Sequence, residues 1–422
     1  MIKRLRAWFA TNTILSGSPL RHSSYALVTL SLLAVVLYLG LSQTVTYFAP
    51  FNFALYQVFW IALSLSALAS LTTVTVLWFL DRRERESTWI YALAFLWGAA
   101  IATGLAMPIN QRVIAAVTAV VTGNPTLNHL VNGQPMLLAA PIAAPLVEEF
   151  TKGLGVVVFF VLLRGEFDNM RDGFIYGALI GAGFNCLEVA LYIVGGFAVT
   201  GTPAWGVQIG GRYALFGFAS HALYTGMFGA ALGWARQTRR HELRWIAVTI
   251  GMLLALTAHA LNNALPLIAR FMQLTPYTDL DVAVLLDQPV VSAWLVRSWI
   301  ALWFFWPFYI LILLGLWRSG VWERRVIRAE LAQECSPIVT PDDHVRIQHD
   351  RMWHTRSVSH TDRRHSRALV NAQNELAFRK HRVRLDGRNP ESDPIVQRWR
   401  ERIRQLRVQA AESHAVHRRL SV

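Results

Sequence analysis

The chain has 422 residues, of which 54% are hydrophobic and only 16% charged, and its formal net charge is +14. A soluble chain carries about a quarter charged residues, and here the apolar residues come in long blocks. That pattern excludes an ordinary soluble domain and predicts an all-α, polytopic transmembrane helix bundle in a cell membrane. The excess positive charge reads as membrane topology, so no specific nucleic acid is expected as a partner.

The basic start MIKRLRAWFA belongs to a short cytoplasmic N-terminus, residues 1–24. The first apolar block, about 25–48, is too long for a cleavable signal core of about 7–15 residues and reads as a retained span. With about 20 residues per span, the remaining blocks fall near 53–80, 88–107, 134–163, 173–199, 213–235, 245–268 and 290–317, giving about eight spans. Pro141 and Pro145 are expected to bend the fourth. The short piece RVIAAVTAVV, Arg112 to Val121, reads as re-entrant or interfacial because it is too short to cross.

The connections set the orientation. DRRERE (Asp81 to Glu86), RGEFDNMRD (Arg164 to Asp172), RQTRRHELR (Arg236 to Arg244) and RSGVWERR (Arg318 to Arg325) are all rich in arginine. The alternate connections 108–133, 200–212 and 270–289 are poor in Lys and Arg. The positive-inside rule then places both termini in the cytoplasm.

The domains expected are the N-terminus 1–24, a transmembrane domain 25–317 with its core at 134–268, and a basic, partly helical cytoplasmic tail at 318–422. Within the tail, Asp393 to Glu412 has the pattern of a basic amphipathic helix, with Ile395, Trp399, Ile403 and Leu406 near one face. The rest reads as partly disordered and solvated. Anionic lipid or a cytoplasmic regulator is the partner such a tail would meet. Cys186 lies in an apolar block and Cys335 in the tail, so no disulfide framework is implied.

Four later blocks carry ionisable groups deep inside: Glu148, Glu149 and Lys152 in the fourth, Glu188 in the fifth, His221 in the sixth and His259 in the seventh. Each charge costs about 2.5–3.5 kcal/mol at the centre of a lipid-exposed helix, so these groups should face inward and meet one another. Glu149 lies 15 residues from Arg164, His221 15 from Arg236, His259 15 from Arg244 and Glu188 16 from Asp172. At 1.5 Å per residue all four reach a common depth of about 22–24 Å from the inner boundary. One shared site is the expectation.

Glu148 and Lys152 share a helix face, whereas Glu148 and Glu149 diverge by about 100°. One glutamate should point into the site, and the other should pair with Lys152 or fix an imidazole. Asn262 and Asn263 extend the polar stripe of His259, and Asn185 sits one turn before Glu188. The small residues of GALIGAGFN and GFASHALYTGMFGA would let these helices approach closely. Buried glutamates and histidines in a water-poor bundle suit peptide hydrolysis, which needs an activated water, a base and donors for the oxyanion. His259 and Asn263 are candidate donors. Alternatively His221, His259 and Glu188 could hold zinc, although no HExxH is present. A metal-independent glutamate mechanism and a zinc mechanism both remain open.

EEFTK, FNCLE, SHALYTGMFG and HALNN, in that order on successive blocks, resemble the PrsW family of intramembrane proteases, distant relatives of the CAAX prenyl endopeptidases. RDGFIYGALIGAGF also looks like the family's entry to its glutamate-bearing helix, and the resemblance covers about Met136 to Pro266. It implies site-specific cleavage of a membrane-protein substrate within or beside the lipid bilayer, of the kind that acts on an anti-sigma factor in a signalling cascade. By position, Glu148 and Glu149 match the family's paired glutamates, Lys152 its lysine and Glu188 its second acidic motif. His221 and His259 match the two histidines, and Asn263 the amide after the last one. The chain departs from the pattern at Val189, where the family carries asparagine. The competing expectations are an ion- or proton-coupled transporter and a non-catalytic membrane sensor. Transporters are often built from internal repeats, and no two-half symmetry is evident here.

Overall fold

The computed structural model describes residues 18–21, 23–82, 87–238, 240–272, 288–350, 356–358 and 361–420. The start 1–17, Arg83 to Glu86 of the first basic loop and most of the 270–289 connection lie outside the described residues. Among the described residues the fold is helical throughout, without strands. The long helices are α1 (Ser23–Phe48), α2 (Phe53–Leu80) and α3 (Thr88–Gly123), followed by the short α4 (Pro125–Leu130). They continue with α5 (Met136–Leu162), α6 (Met170–Thr200), α7 (His221–Gln237), α8 (His241–Phe271) and α9 (Val290–Leu331). The C-terminal region adds α10 (Pro341–Gln348), α11 (Arg363–Leu385) and α12 (Pro394–Leu420).

Seven of these helices are long and apolar enough to cross a membrane, which makes this a multi-pass membrane protein. α5, of 27 residues, is not among these seven, and it carries Glu148, Glu149 and Lys152 in its centre. It continues through Pro141 and Pro145. Arg112 to Val121 is not a separate re-entrant piece. It extends α3, which is 36 residues long, contains Pro108 and has a π-helical turn at Trp97–Ala102. A proline inside a spanning helix is tolerated where neighbouring helices enclose it, and α3 packs against α1 and α5.

α6 is the centre of the bundle and is buried along most of its length, from Asp172 to Val194. Its start is fixed by a capping box, in which Asn169 accepts from the backbone of Arg171 and Asp172 while Asp172 accepts from the Asn169 backbone. It lies against α7 at glycine contacts. A Cβ at Gly173 would meet the Gly229 carbonyl oxygen at 2.0 Å, and one at Gly181 would meet that of His221 at 2.2 Å. Only hydrogen fits there, as expected of small-residue packing between membrane helices.

The chain divides into two compact units, one of Met1–Phe79 with Ser87–Ile312 and one of Leu80–Glu86 with Leu313–Val422. The second is not a loose tail. Val326, Ile327 and Leu331 of α9, Ile347 of α10, Leu369, Leu376 and Phe378 of α11, and Val396, Ile403 and Leu406 of α12 build one buried core. The amphipathic face expected at Ile395, Trp399, Ile403 and Leu406 exists, and it packs against that core rather than waiting for lipid. Periodicity shows that such a face exists but not what covers it. Within α9, Trp303 and Trp306 are exposed, whereas Phe305 is buried beside the Tyr224 ring.

Candidate active site

α5, α6, α7 and α8 bring Glu148, Glu149, Lys152, Glu188, His221 and His259 together, all of them buried. Glu149 organises one side. Its Oε1 accepts from Lys152 Nζ at 2.6 Å and lies 2.9 Å from His259 Nδ1, and its Oε2 accepts from Thr225 Oγ1 at 2.9 Å. One glutamate thus both pairs with the lysine and fixes an imidazole. With Nδ1–H given to Glu149, His259 turns the lone pair of Nε2 toward Glu148 Oε2, 3.8 Å away.

His221 is held from two sides. Its Nδ1 accepts from Lys152 Nζ at 2.7 Å, and its Nε2 is 2.8 Å from Glu188 Oε2. Glu188 also accepts from Arg212 Nη1 at 2.5 Å, and the same nitrogen stands 3.4 Å from His221 Nε2. Each histidine therefore rests on a carboxylate that sets its ring orientation.

Glu148 is the open member. Its Oε1 accepts from Asn110 Nδ2 at 2.9 Å, while its Oε2 is buried with no hydrogen-bond partner. An unpartnered buried carboxylate oxygen is expensive and calls for an explanation. That oxygen lies 3.7 Å from Lys152 Nζ and 4.0 Å from His221 Nδ1. Glu148, His221 and His259 can each offer one ligand atom, all within 4.8 Å of one another. A carboxylate and two imidazoles form a donor set that suits a divalent metal, and the unpartnered oxygen points into it. The residues fit such an ion on one condition. His221 Nδ1 now accepts from Lys152, so the ammonium occupies the place of the positive charge and must yield if a metal takes that nitrogen.

The converging trio therefore has Glu148 where the sequence pointed to Glu188, because Glu188 is engaged by Arg212 and His221. Asn263 departs further. Its Nδ2 bonds the Ala140 carbonyl at 3.3 Å and its Oδ1 accepts from Asn262 at 3.1 Å, so the amide ties α8 to α5 and does not reach the cluster. Asn262 in turn accepts from Arg297 of α9. Val189 is buried in a neighbouring apolar cluster, and no hydrogen bond joins Asn185 to Glu188.

Asn110, Arg212, Thr225 and the Tyr224 ring, stacked on His259 with centroids 5.1 Å apart, were not foreseen. Thr225 had a signal, being four residues after His221 and hence on the same face. Arg212 had a weaker one, as a solitary arginine in a connection otherwise poor in basic residues. It precedes a strained turn in which Leu215 and Phe216 both have positive φ, 49° and 58°. Leu215 N–H donates to Ser298 Oγ, and the Phe216 carbonyl accepts from Thr73 Oγ1. Strain of this kind persists where surrounding contacts over-determine it. The side chain of Arg212 is 26% exposed, the wettest edge of the cluster.

Residues 86–295 match the profile of the PrsW family intramembrane metalloproteases. Among curated proteins, Protease PrsW of Halalkalibacterium halodurans is 31% identical over 132 residues, 31% of this chain and 56% of that protein. Protease PrsW of Geobacillus kaustophilus is 37% identical over 105 residues, 24% of this chain and 42% of that protein. The chain thus spans about half the length of the curated relatives it matches. No solved structure matches.

Proposed function

On the premise that the chain belongs to the PrsW family through residues 86–295, we propose that it hydrolyses a peptide bond of a membrane-protein substrate within or beside the bilayer. The observation that carries this reading is the unpartnered Glu148 Oε2, aimed at two carboxylate-held histidines in the middle of an apolar bundle. Peptide hydrolysis needs a group to take a proton from water and donors for the charge that develops on the carbonyl oxygen. In a metal-independent reaction Glu148 Oε2 is the oxygen free to accept that proton. Lys152 Nζ, 3.7 Å away, counters the negative charge of Glu148. Arg212, at the exposed edge, is placed to meet the carbonyl oxygen of an entering chain. Glu149 and Glu188 act through the imidazoles they orient, and Asn110 fixes the plane of the Glu148 carboxylate.

In the metal-dependent alternative Glu148, His221 and His259 would instead hold the ion, Glu148 then serving as a ligand and not as the base, with zinc the ion best suited to two imidazoles and a carboxylate. Such an ion supplies a water of lowered pKa and polarises the carbonyl. Asn263 serves in this reading as a brace between α8 and α5. The arginine-rich connections support a cytoplasmic position for both termini, and an anti-sigma-factor-like regulator fits the substrate class.

The test compares membrane proteomes of cells making wild-type protein with cells making the variant E148Q/E149Q at equal abundance, with new protein termini mapped by mass spectrometry. A fragment present only with wild type supports the proposal and identifies the substrate. If no terminus differs under several envelope stresses, proteolysis is rejected and ion flux in liposomes becomes the assay.

A further inference from the structure

The second compact unit contains a cavity of about 520 Å³ lined by Val321, Arg324, Arg325, Arg328, Ala329 and Gln348. Three of its six lining residues are arginines and none is acidic. Arg324 and Arg328 are one turn apart on the same face of α9, and like charges at that spacing repel. Their existing partners do not neutralise them. Arg324 donates from Nε to the Gly320 carbonyl, and Arg328 donates to the carbonyls of Ile347, Gln348 and Asp350. Arg325 is exposed and has no hydrogen-bond or ion-pair partner among the described residues. Carbonyl contacts hold the Arg328 guanidinium in place without cancelling its charge, so the cavity is a preformed basic cradle.

The position of these arginines along α9 bears on what could enter. The apolar run ends at Trp317, and tryptophan favours the membrane–water interface. Arg324 comes seven residues later, about 10 Å along the helix. The polar layer on each side of a bilayer is about 5–7 Å deep, and an arginine side chain can reach back toward it. Guanidinium forks match the paired oxygens of phosphate in charge and geometry.

From this geometry we propose that Arg324, Arg325 and Arg328 form a binding site for a phosphate-bearing anion, separate from the Glu148–His259 cluster and independent of whether that cluster cleaves peptides. The phosphate comes either from an anionic lipid headgroup at the membrane surface or from a soluble phosphate compound. The amphipathic face of α12 is already buried, so any anion binding by this unit falls to its arginines rather than to an inserted helix.

The test uses the full chain in neutral detergent. Binding of dihexanoyl phosphatidylglycerol, of inorganic phosphate and of zwitterionic dihexanoyl phosphatidylcholine is measured by calorimetry. The expected result is saturable binding of an anionic ligand, weakened at least tenfold in R324Q/R325Q and largely kept in R324K/R325K. Saturation by phosphatidylglycerol without competition by inorganic phosphate assigns the lipid source. Binding of inorganic phosphate, displacing the lipid, assigns the soluble one. Should R324Q/R325Q fail to fold, R325Q alone carries the comparison, because that side chain is exposed and supports no contact. Equal affinity in wild type and the folded Gln variant, or no preference for the anionic ligands over phosphatidylcholine, overturns the proposal.

Discussion

Lys152 in the bundle and Lys380 in the C-terminal unit are both buried, at 0% and 1% exposure, and both face carboxylates. Lys380 donates to Glu334 Oε1 at 2.5 Å and to the Glu330 carbonyl at 2.9 Å, and Arg400 closes on both oxygens of the same Glu334. That network is closed, with the Glu334 charge met by two cations. Around Lys152 the network is open. The ammonium serves Glu149 and His221, while Glu148 Oε2 is left without a hydrogen bond 3.7 Å away. Similar residue types make a structural clamp in one unit and leave one carboxylate oxygen without a hydrogen bond in the other. The difference is that both oxygens of Glu334 are satisfied whereas one oxygen of Glu148 is not.

The largest effect should come from removing the open oxygen's charge. E148Q is expected to lower substrate cleavage by about 10²–10⁴-fold, the range for loss of a general base. Quantifying the product terminus checks it, and cleavage within tenfold of wild type would break the contrast. The corresponding change in the closed network should act on stability alone. K380M leaves Glu334 with Arg400 only and should destabilise the C-terminal unit by about 3 kcal/mol, the low end for breaking a buried pair. Hydrogen exchange of α11 and α12 measures that loss, while the product terminus should persist.

A third variant sharpens the comparison from the other side. K152M frees His221 Nδ1 and removes a positive charge beside the ligand set. Zinc retention through dialysis, read by elemental analysis, should therefore rise by roughly tenfold. Retention below wild type would mean that the ammonium helps to hold the cluster's shape for the metal.

The smallest effect is a pH dependence of two paired carboxylates in the C-terminal unit, Glu334 and Asp393. Burial alone would raise the Glu334 carboxyl, but hydrogen bonds from Arg400 and Lys380 outweigh it and hold the group below its ordinary value of 4.5. At Asp393 burial is likewise outweighed by Arg379, and that carboxyl lies below its ordinary 3.8. A carboxyl depressed on folding binds protons more readily in the unfolded chain. Its stabilisation is therefore present above the ordinary value and is lost as pH falls through the folded one. Protection of α11 and α12 against exchange should hold at pH 5 and above and fall below about pH 4. Loss of protection beginning near pH 6 would contradict this assignment.

The sequence by itself determined the helical class, the long apolar segments and the meeting of the charged groups of four helices. Those features follow from hydropathy, helical rise and the cost of burying charge, which are additive along one chain. It also foresaw that one glutamate would pair with Lys152 or fix an imidazole, because positions 148, 149 and 152 have fixed angles on one helix. Only the tertiary structure decided that Glu149 does both and Glu148 stays open, that Glu188 belongs to Arg212, and that Asn263 turns to the Ala140 carbonyl. It also decided that Arg112 to Val121 continues α3 and that the face of α12 is covered from within its own unit. Which residue meets which depends on rotations and approaches between separate helices, and periodicity within a single helix carries no information about its neighbour.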